Sequence, residues 1–254
     1  MENYTSYVIG RNFVKIVKYE NINTGRRRRA ARNQPQSTPM TTQELDLAYQ
    51  YRQRAKREKL VRLADVNFEA GACVLATLTF KENMKDYDTA VKAFKLFTKR
   101  LRRKLEGVRY IATLEIQKRG AFHFHMLLNA PDVQFGLDNV APLWQNGIVD
   151  IGPVTNIKKA VLYMTKDFVK QNRSHPLFSK RCYFVSQGLA QCIEVNTWNG
   201  TIAQVQTIQQ MLHGKKPNKS NQVNSTKAGL VEYADYYFPT NLYPALMTAK
   251  LRPI

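Results

Sequence analysis

Nineteen residues near the middle of the chain, 110–128, constrain its fold more than any other stretch. Two apolar runs rich in Ile, Leu and Phe flank Lys118-Arg119-Gly120. This pattern predicts a β-hairpin, with Gly120 in the positive-φ position of a three-residue loop. A hairpin centred on Arg119 sets Glu115 opposite His123 and Thr113 opposite His125. Opposed residues share a face, as do residues i and i+2. Glu115, His123 and His125 therefore project from one side of the sheet, and two imidazoles with a carboxylate suit a divalent cation. Other His-x-His architectures fit less well. A cupin needs a carboxylate where Asn129 and Ala130 stand, and a histidine-triad hydrolase needs a third His in place of Leu127. No Asp follows His123 at the spacing of the common iron facial triad. The hairpin site thus needs a partner from elsewhere in the chain.

Charge points to the partner molecule. The 254 residues include 39 Lys and Arg against 19 Asp and Glu, a formal net charge of +20. No fold requires such an imbalance, so it speaks of partners, with nucleic acid first and an anionic membrane surface second. No run of 18 apolar residues exists to span a bilayer, and no signal-peptide pattern opens the chain. Cys73, Cys182 and Cys192 are odd in number and form no Cys-x-x-Cys pair. Reduced thiols in a cytoplasmic protein are the expectation.

Three segments follow from composition. Residues 1–40 are expected to be a flexible basic arm, with Arg26, Arg27, Arg28 and Arg29 as a nucleic-acid contact and 34–39 as a linker. Residues 41–190 read as the main domain. It opens with a basic helix over 41–66 that carries Arg54 and Arg57, capped by Thr41 or Thr42 with Glu44 near its positive end. A buried strand over 73–80 presents Thr77 and Thr79 on one face. An amphipathic helix follows over 87–105, with Ala90, Ala93, Phe94, Phe97 and Leu101 as its stripe. After the hairpin come a short helical piece ending near Trp144, a strand over 147–154, and a helix capped by Asn156 that runs to about Lys170. Residues 191–254 are an extension without an assigned role, in which 215–225 reads as a polar linker.

From 73 to 170 the order strand, helix, hairpin, strand, helix predicts an α+β sandwich, an antiparallel sheet with helices on one side. The last helix can cross the face bearing Glu115, His123 and His125. Tyr163 and Lys166, three apart, share one flank of it. A phenol beside a cation on a basic protein suggests phosphodiester chemistry. Tyr163 attacks phosphorus and becomes covalently attached, while Lys166 neutralises developing charge.

These residues together resemble the HUH endonucleases, in particular the single-tyrosine rolling-circle replication initiators of plasmids and phages of Gram-positive bacteria. Thr-Leu-Thr-Phe (77–80) resembles the first family motif. His123-Phe124-His125 resembles the second, with Glu115 as acidic third ligand, and Tyr163-Met-Thr-Lys166 resembles the Tyr-x-x-Lys motif. The resemblance covers roughly residues 50–190. It implies a five-stranded antiparallel sheet with the histidines on a central strand, and Mg²⁺ or Mn²⁺ as cofactor. It also implies nicking of one DNA strand at an origin, with a 5′-phosphotyrosine on Tyr163 and a free 3′-hydroxyl. Thr77, Thr79, Lys118 and Arg119 would touch the single strand, and the basic helix or arm would hold the origin duplex. With one motif tyrosine, rejoining needs a second subunit, as in a homodimer, or an activated water. No Gly-x-x-x-x-Gly-Lys-Ser/Thr loop is present, so a host helicase and polymerase are expected partners. A relaxase or single-tyrosine transposase would use the same chemistry. A non-enzymatic nucleic-acid-binding domain with structural histidines is the contrasting class.

Overall fold

In the computed structural model, residues 4–21, 40–129, 137–170, 172–197, 202–225, 228–239 and 241–242 are described. The Arg26–Arg29 run lies outside them. The chain divides into two compact units, Thr41–Leu189 and a second built from Met1–Met40 with Ala190–Ile254. Each holds a five-stranded antiparallel sheet, and the protein is α+β.

The second unit departs from the sequence-based expectation. Strands β1 (Tyr4–Ile9) and β2 (Phe13–Tyr19) form a hairpin within the segment expected to be a flexible arm. The alternation of Tyr7, Ile9, Val14 and Ile16, all buried, is the signal that reveals it.

In the Thr41–Leu189 unit, helix α1 (Thr42–Asn67) begins with a capping box in which Thr41 and Glu44 satisfy each other's backbone donors. Strand β3 (Val74–Phe80) follows. Asp86 then caps helix α2 (Tyr87–Lys104), whose apolar stripe is buried as the 3.6-residue period predicts. Strands β4 (Arg109–Ile116) and β5 (Phe122–Asn129) make the central hairpin, and Gly120 takes φ +84° in its loop. Helix α3 (Leu137–Trp144), strand β6 (Gly147–Pro153), helix α4 (Ile157–Met164) and strand β7 (Tyr183–Val185) complete the unit. The sheet order is β6-β3-β5-β4-β7, so the histidine-bearing β5 is the middle strand.

Strand alternation separates the two sheet faces, and both are covered rather than one. Phe124 stacks on Phe94 of α2 with ring centroids 4.4 Å apart, and Trp144 of α3 packs against Phe80 and Phe97. That face is an aromatic core. The opposite face carries the histidines and lies under α1 and α4. Helix α4 is shorter than its sequence suggests. Thr113 Oγ1 on β4 donates to the Met164 carbonyl (2.8 Å), and Thr165 Oγ1 donates to the Val161 carbonyl. With the Met164 carbonyl taken, the Phe168 amide bonds to Thr165 instead, and the chain tightens into a 3₁₀ turn at Phe168–Lys170.

In the other unit, β8 (Ile193–Asn196), helix α5 (Ile202–Leu212), β9 (Lys219–Ser225) and β10 (Gly229–Tyr237) join β1 and β2 in the order β8-β1-β2-β10-β9. Ile208 and Leu212 of α5 close a small core with Tyr7, Ile9, Val14 and Ile16. Strand β9 falls in the segment expected to be a polar linker. It is a polar edge strand, Lys-Ser-Asn-Gln-Val-Asn-Ser, held by its backbone ladder to β10. No helix among the described residues is long and apolar enough to cross a membrane.

Candidate active site

Cross-strand register builds the site. Glu115 pairs with His123, and Thr113 and Thr77 both pair with His125 from the strands on either side. The expected grouping forms. His125 Nε2 lies 3.0 Å from Glu115 Oε2 and 3.0 Å from His123 Nε2, and His123 Nε2 lies 3.6 Å from the same carboxylate oxygen. All three residues are buried.

Glu115, His123 and His125 form a group that can hold a metal ion. A six-coordinate ion with ligands at about 2.1 Å sets neighbouring donors about 3.0 Å apart, close to the edges of this triangle. Buried Glu115 Oε2 makes no hydrogen bond of its own. Burial, then the nearby His125, pushes His123 down to about 4, so its imidazole is neutral and able to ligate at neutral pH. Burial opposes the charge on Glu115. Hydrogen bonding to His125, Asp167 and Lys166 outweighs burial and holds the carboxyl well below the usual range. The site thus offers one fixed negative charge and two neutral nitrogens.

Thr77 sets the ring of His125. Its Oγ1 is 3.1 Å from His125 Nδ1. With Nδ1–H donating to that oxygen, the Nε2 lone pair points at Glu115 and His123, the tautomer a metal ligand requires. A Thr77→Val protein keeps the shape and loses the acceptor. Its Mn²⁺ affinity, measured by titration calorimetry, is expected to fall roughly 10–100-fold. Unchanged affinity would show that the ring is held by packing alone.

Tyr163 and Lys166 meet the same cluster by different routes. The Tyr163 ring lies 5.0 Å from that of His125, edge to face, and at 47% exposure its hydroxyl is open to a ligand. Lys166 lies past the end of α4, not on its flank. The turn at Thr165 swings its Nζ to 2.9 Å from Glu115 Oε1 and 4.5 Å from the Tyr163 ring centroid. Partial burial works against the ammonium, but the bond to Glu115 raises its pKa and keeps it charged. Asp167 joins them, raised by burial and by its hydrogen bond with Glu115. In the sequence Asp167 is legible only as a neighbour of Lys166.

The expected nucleic-acid residues divide. Lys118 and Arg119 are exposed at the hairpin tip, where they line a groove of about 680 Å³ with Thr79 and Lys81. Arg54 is exposed on α1. Arg57 is half-buried and donates from Nη2 to the Leu162 carbonyl (3.4 Å), tying α1 to the helix that bears Tyr163.

Residues 73–172 match the model of a protein family described as replication-associated protein ORF2. The matched stretch contains Thr77, Glu115, His123, His125, Tyr163 and Lys166, and it supports a role in replication initiation. No curated protein and no solved structure matches the chain significantly.

Proposed function

We propose that the protein is a rolling-circle replication initiator of the HUH endonuclease type, which nicks and rejoins single-stranded DNA at an origin. The observation that carries this reading is the meeting of Tyr163 with the Glu115–His123–His125 cluster, contributed by a helix and a hairpin far apart in sequence. Mg²⁺ or Mn²⁺ held by the three ligands would act as a Lewis acid toward a non-bridging phosphate oxygen.

The chain's own residues supply the rest. Tyr163 Oη attacks phosphorus in line, forming the phenolic O–P bond as the bond from phosphorus to the 3′-oxygen breaks. The phenolic proton passes to solvent, since Lys166 is already protonated, and the departing 3′-oxygen takes a proton from water. Lys166 stabilises the negative charge that spreads over the phenolic oxygen and the phosphate. Thr113 and Arg57 hold the backbone on either side of Tyr163, which orients the phenol. Retention of the phosphotyrosine conserves the bond energy, so the reverse attack by a 3′-hydroxyl rejoins the strand. Lys118, Arg119 and Thr79 flank the cluster and suit the path of a single strand. Arg54 suits phosphates of the origin duplex.

The test is covalent capture. Labelled single-stranded origin DNA incubated with the protein and Mn²⁺ is expected to give an adduct that survives a denaturing gel and is absent with EDTA. Absence of adduct on all candidate origin strands would leave a basic binding domain.

A further inference from the structure

A cavity of about 340 Å³ opens beside Tyr163, between α4 and the β3–β6 edge of the sheet. Thr77, Asp150, Gly152, Asn156, Lys159 and Tyr163 line it. The pairs Thr77↔Asp150 and Leu75↔Gly152 put Asp150 and Gly152 on the face that carries His125. Asp150 is two strands from His125, about 10 Å at ordinary strand spacing. An occupant of this cavity is therefore an immediate neighbour of whatever Tyr163 touches. The volume lies at the lower end of the range for small-molecule pockets, about 300–1,000 Å³, and suits one nucleobase rather than a larger ligand.

Gly152 shows that the space is kept open by the absence of a side chain. Gly147, at the start of the same strand, has φ +153°, and a Cβ there would collide with the backbone of Thr79 and Lys81. Neither constraint applies to Gly152. Its φ is not positive, and an added Cβ would meet no atom within 4 Å. A glycine inside a strand weakens it and often marks a close approach by a ligand. On the cavity wall, Asp150 has no hydrogen-bond or ion-pair partner among the described residues. A carboxylate facing a polyanion is unfavourable unless it accepts N–H groups from that polyanion.

We propose that this cavity receives the base next to the phosphate presented to Tyr163, and that Asp150 selects a base bearing an amino group. The carboxylate can only accept, so it suits the amino group of cytosine or adenine. Thymine presents carbonyl oxygens on either side of its single N–H, and these repel it. The identity of the occupant rests on the strand-nicking reading. Lys159 at the cavity wall suits the phosphate that accompanies the base.

Binding without chemistry tests this. In EDTA, fluorescence anisotropy with short single-stranded homopolymers of dC, of dT and of abasic sugar-phosphate is expected to rank dC above dT by roughly tenfold. Asp150→Ala is expected to equalise dC and dT. Gly152→Leu, whose side chain would fill the cavity, is expected to bring dC down to the abasic level. Abasic binding is expected to stay unchanged in both variants, which also reports that they are folded. Equal dC and dT binding by the unaltered protein would overturn the proposal, as would dC binding by Gly152→Leu at the unaltered level. The adduct assay is separate. A dC preference that follows Asp150 in a protein forming no adduct would keep the pocket and sink the nicking reading.

Discussion

Tyr163→Phe is expected to abolish the covalent protein–DNA adduct while leaving Mn²⁺ affinity and fold unchanged. Tyr163 is half-exposed and lies beside the cluster without being one of its three ligating groups. Removal of one oxygen therefore takes away the nucleophile and little else. Loss of a nucleophile in enzymes that form covalent intermediates costs on the order of 10⁴–10⁶-fold in rate. The checks are a denaturing gel with labelled origin strand and a parallel Mn²⁺ titration. An adduct that persists in Tyr163→Phe would assign the attack to another residue. Loss of metal binding together with the adduct would make Tyr163 a structural support of the cluster.

Glu115→Gln carries the second large effect, for a different reason. The side chain keeps its size, so the hairpin and the aromatic core behind it should survive. The exchange removes the one fixed negative charge among the three ligands and frees Lys166 from its 2.9 Å partner. A neutral amide beside two neutral imidazoles and an ammonium is a poor site for a divalent cation. Loss of an outer-shell partner alone costs about 10–100-fold in metal affinity, and loss of a charged ligand should exceed that. Calorimetric titration with Mn²⁺ is expected to show no saturable binding at concentrations that saturate the unaltered protein. Adduct formation is expected to fall with it. Retained affinity would mean that His123 and His125 suffice, and that Glu115 serves to anchor Lys166.

The two variants separate the parts of the site. Tyr163→Phe removes attack and keeps the ion, whereas Glu115→Gln removes the ion and keeps the phenol. Thr77→Val falls between them, since it acts on the orientation of one ligand through a single contact.

Much of this site is legible in the chain. The hairpin over 110–128 is dictated by local chemistry: two apolar runs, a glycine suited to positive φ, and a side-chain period of two that puts Glu115, His123 and His125 on one face. Caps at Thr41, Asp86 and Asn156 start their helices by bonds within three residues of sequence. Such features depend only on neighbours, so a sequence carries them whole.

Other features depend on groups distant in sequence. Helix α4 ends at Met164 because Thr113, 51 residues earlier, takes a carbonyl that helix continuation needs. Lys166 reaches Glu115 only through that interruption. Thr77 belongs to His125 because β3 pairs with β5 in one register. Strand β9 has no apolar pattern of its own and exists through the backbone ladder offered by β10. The sequence by itself determined which side chains share a face and which chemistry they can carry. Tertiary structure decided where elements stop and which polar atoms meet, because those outcomes turn on hydrogen bonds whose two partners are brought together only once the sheet has formed.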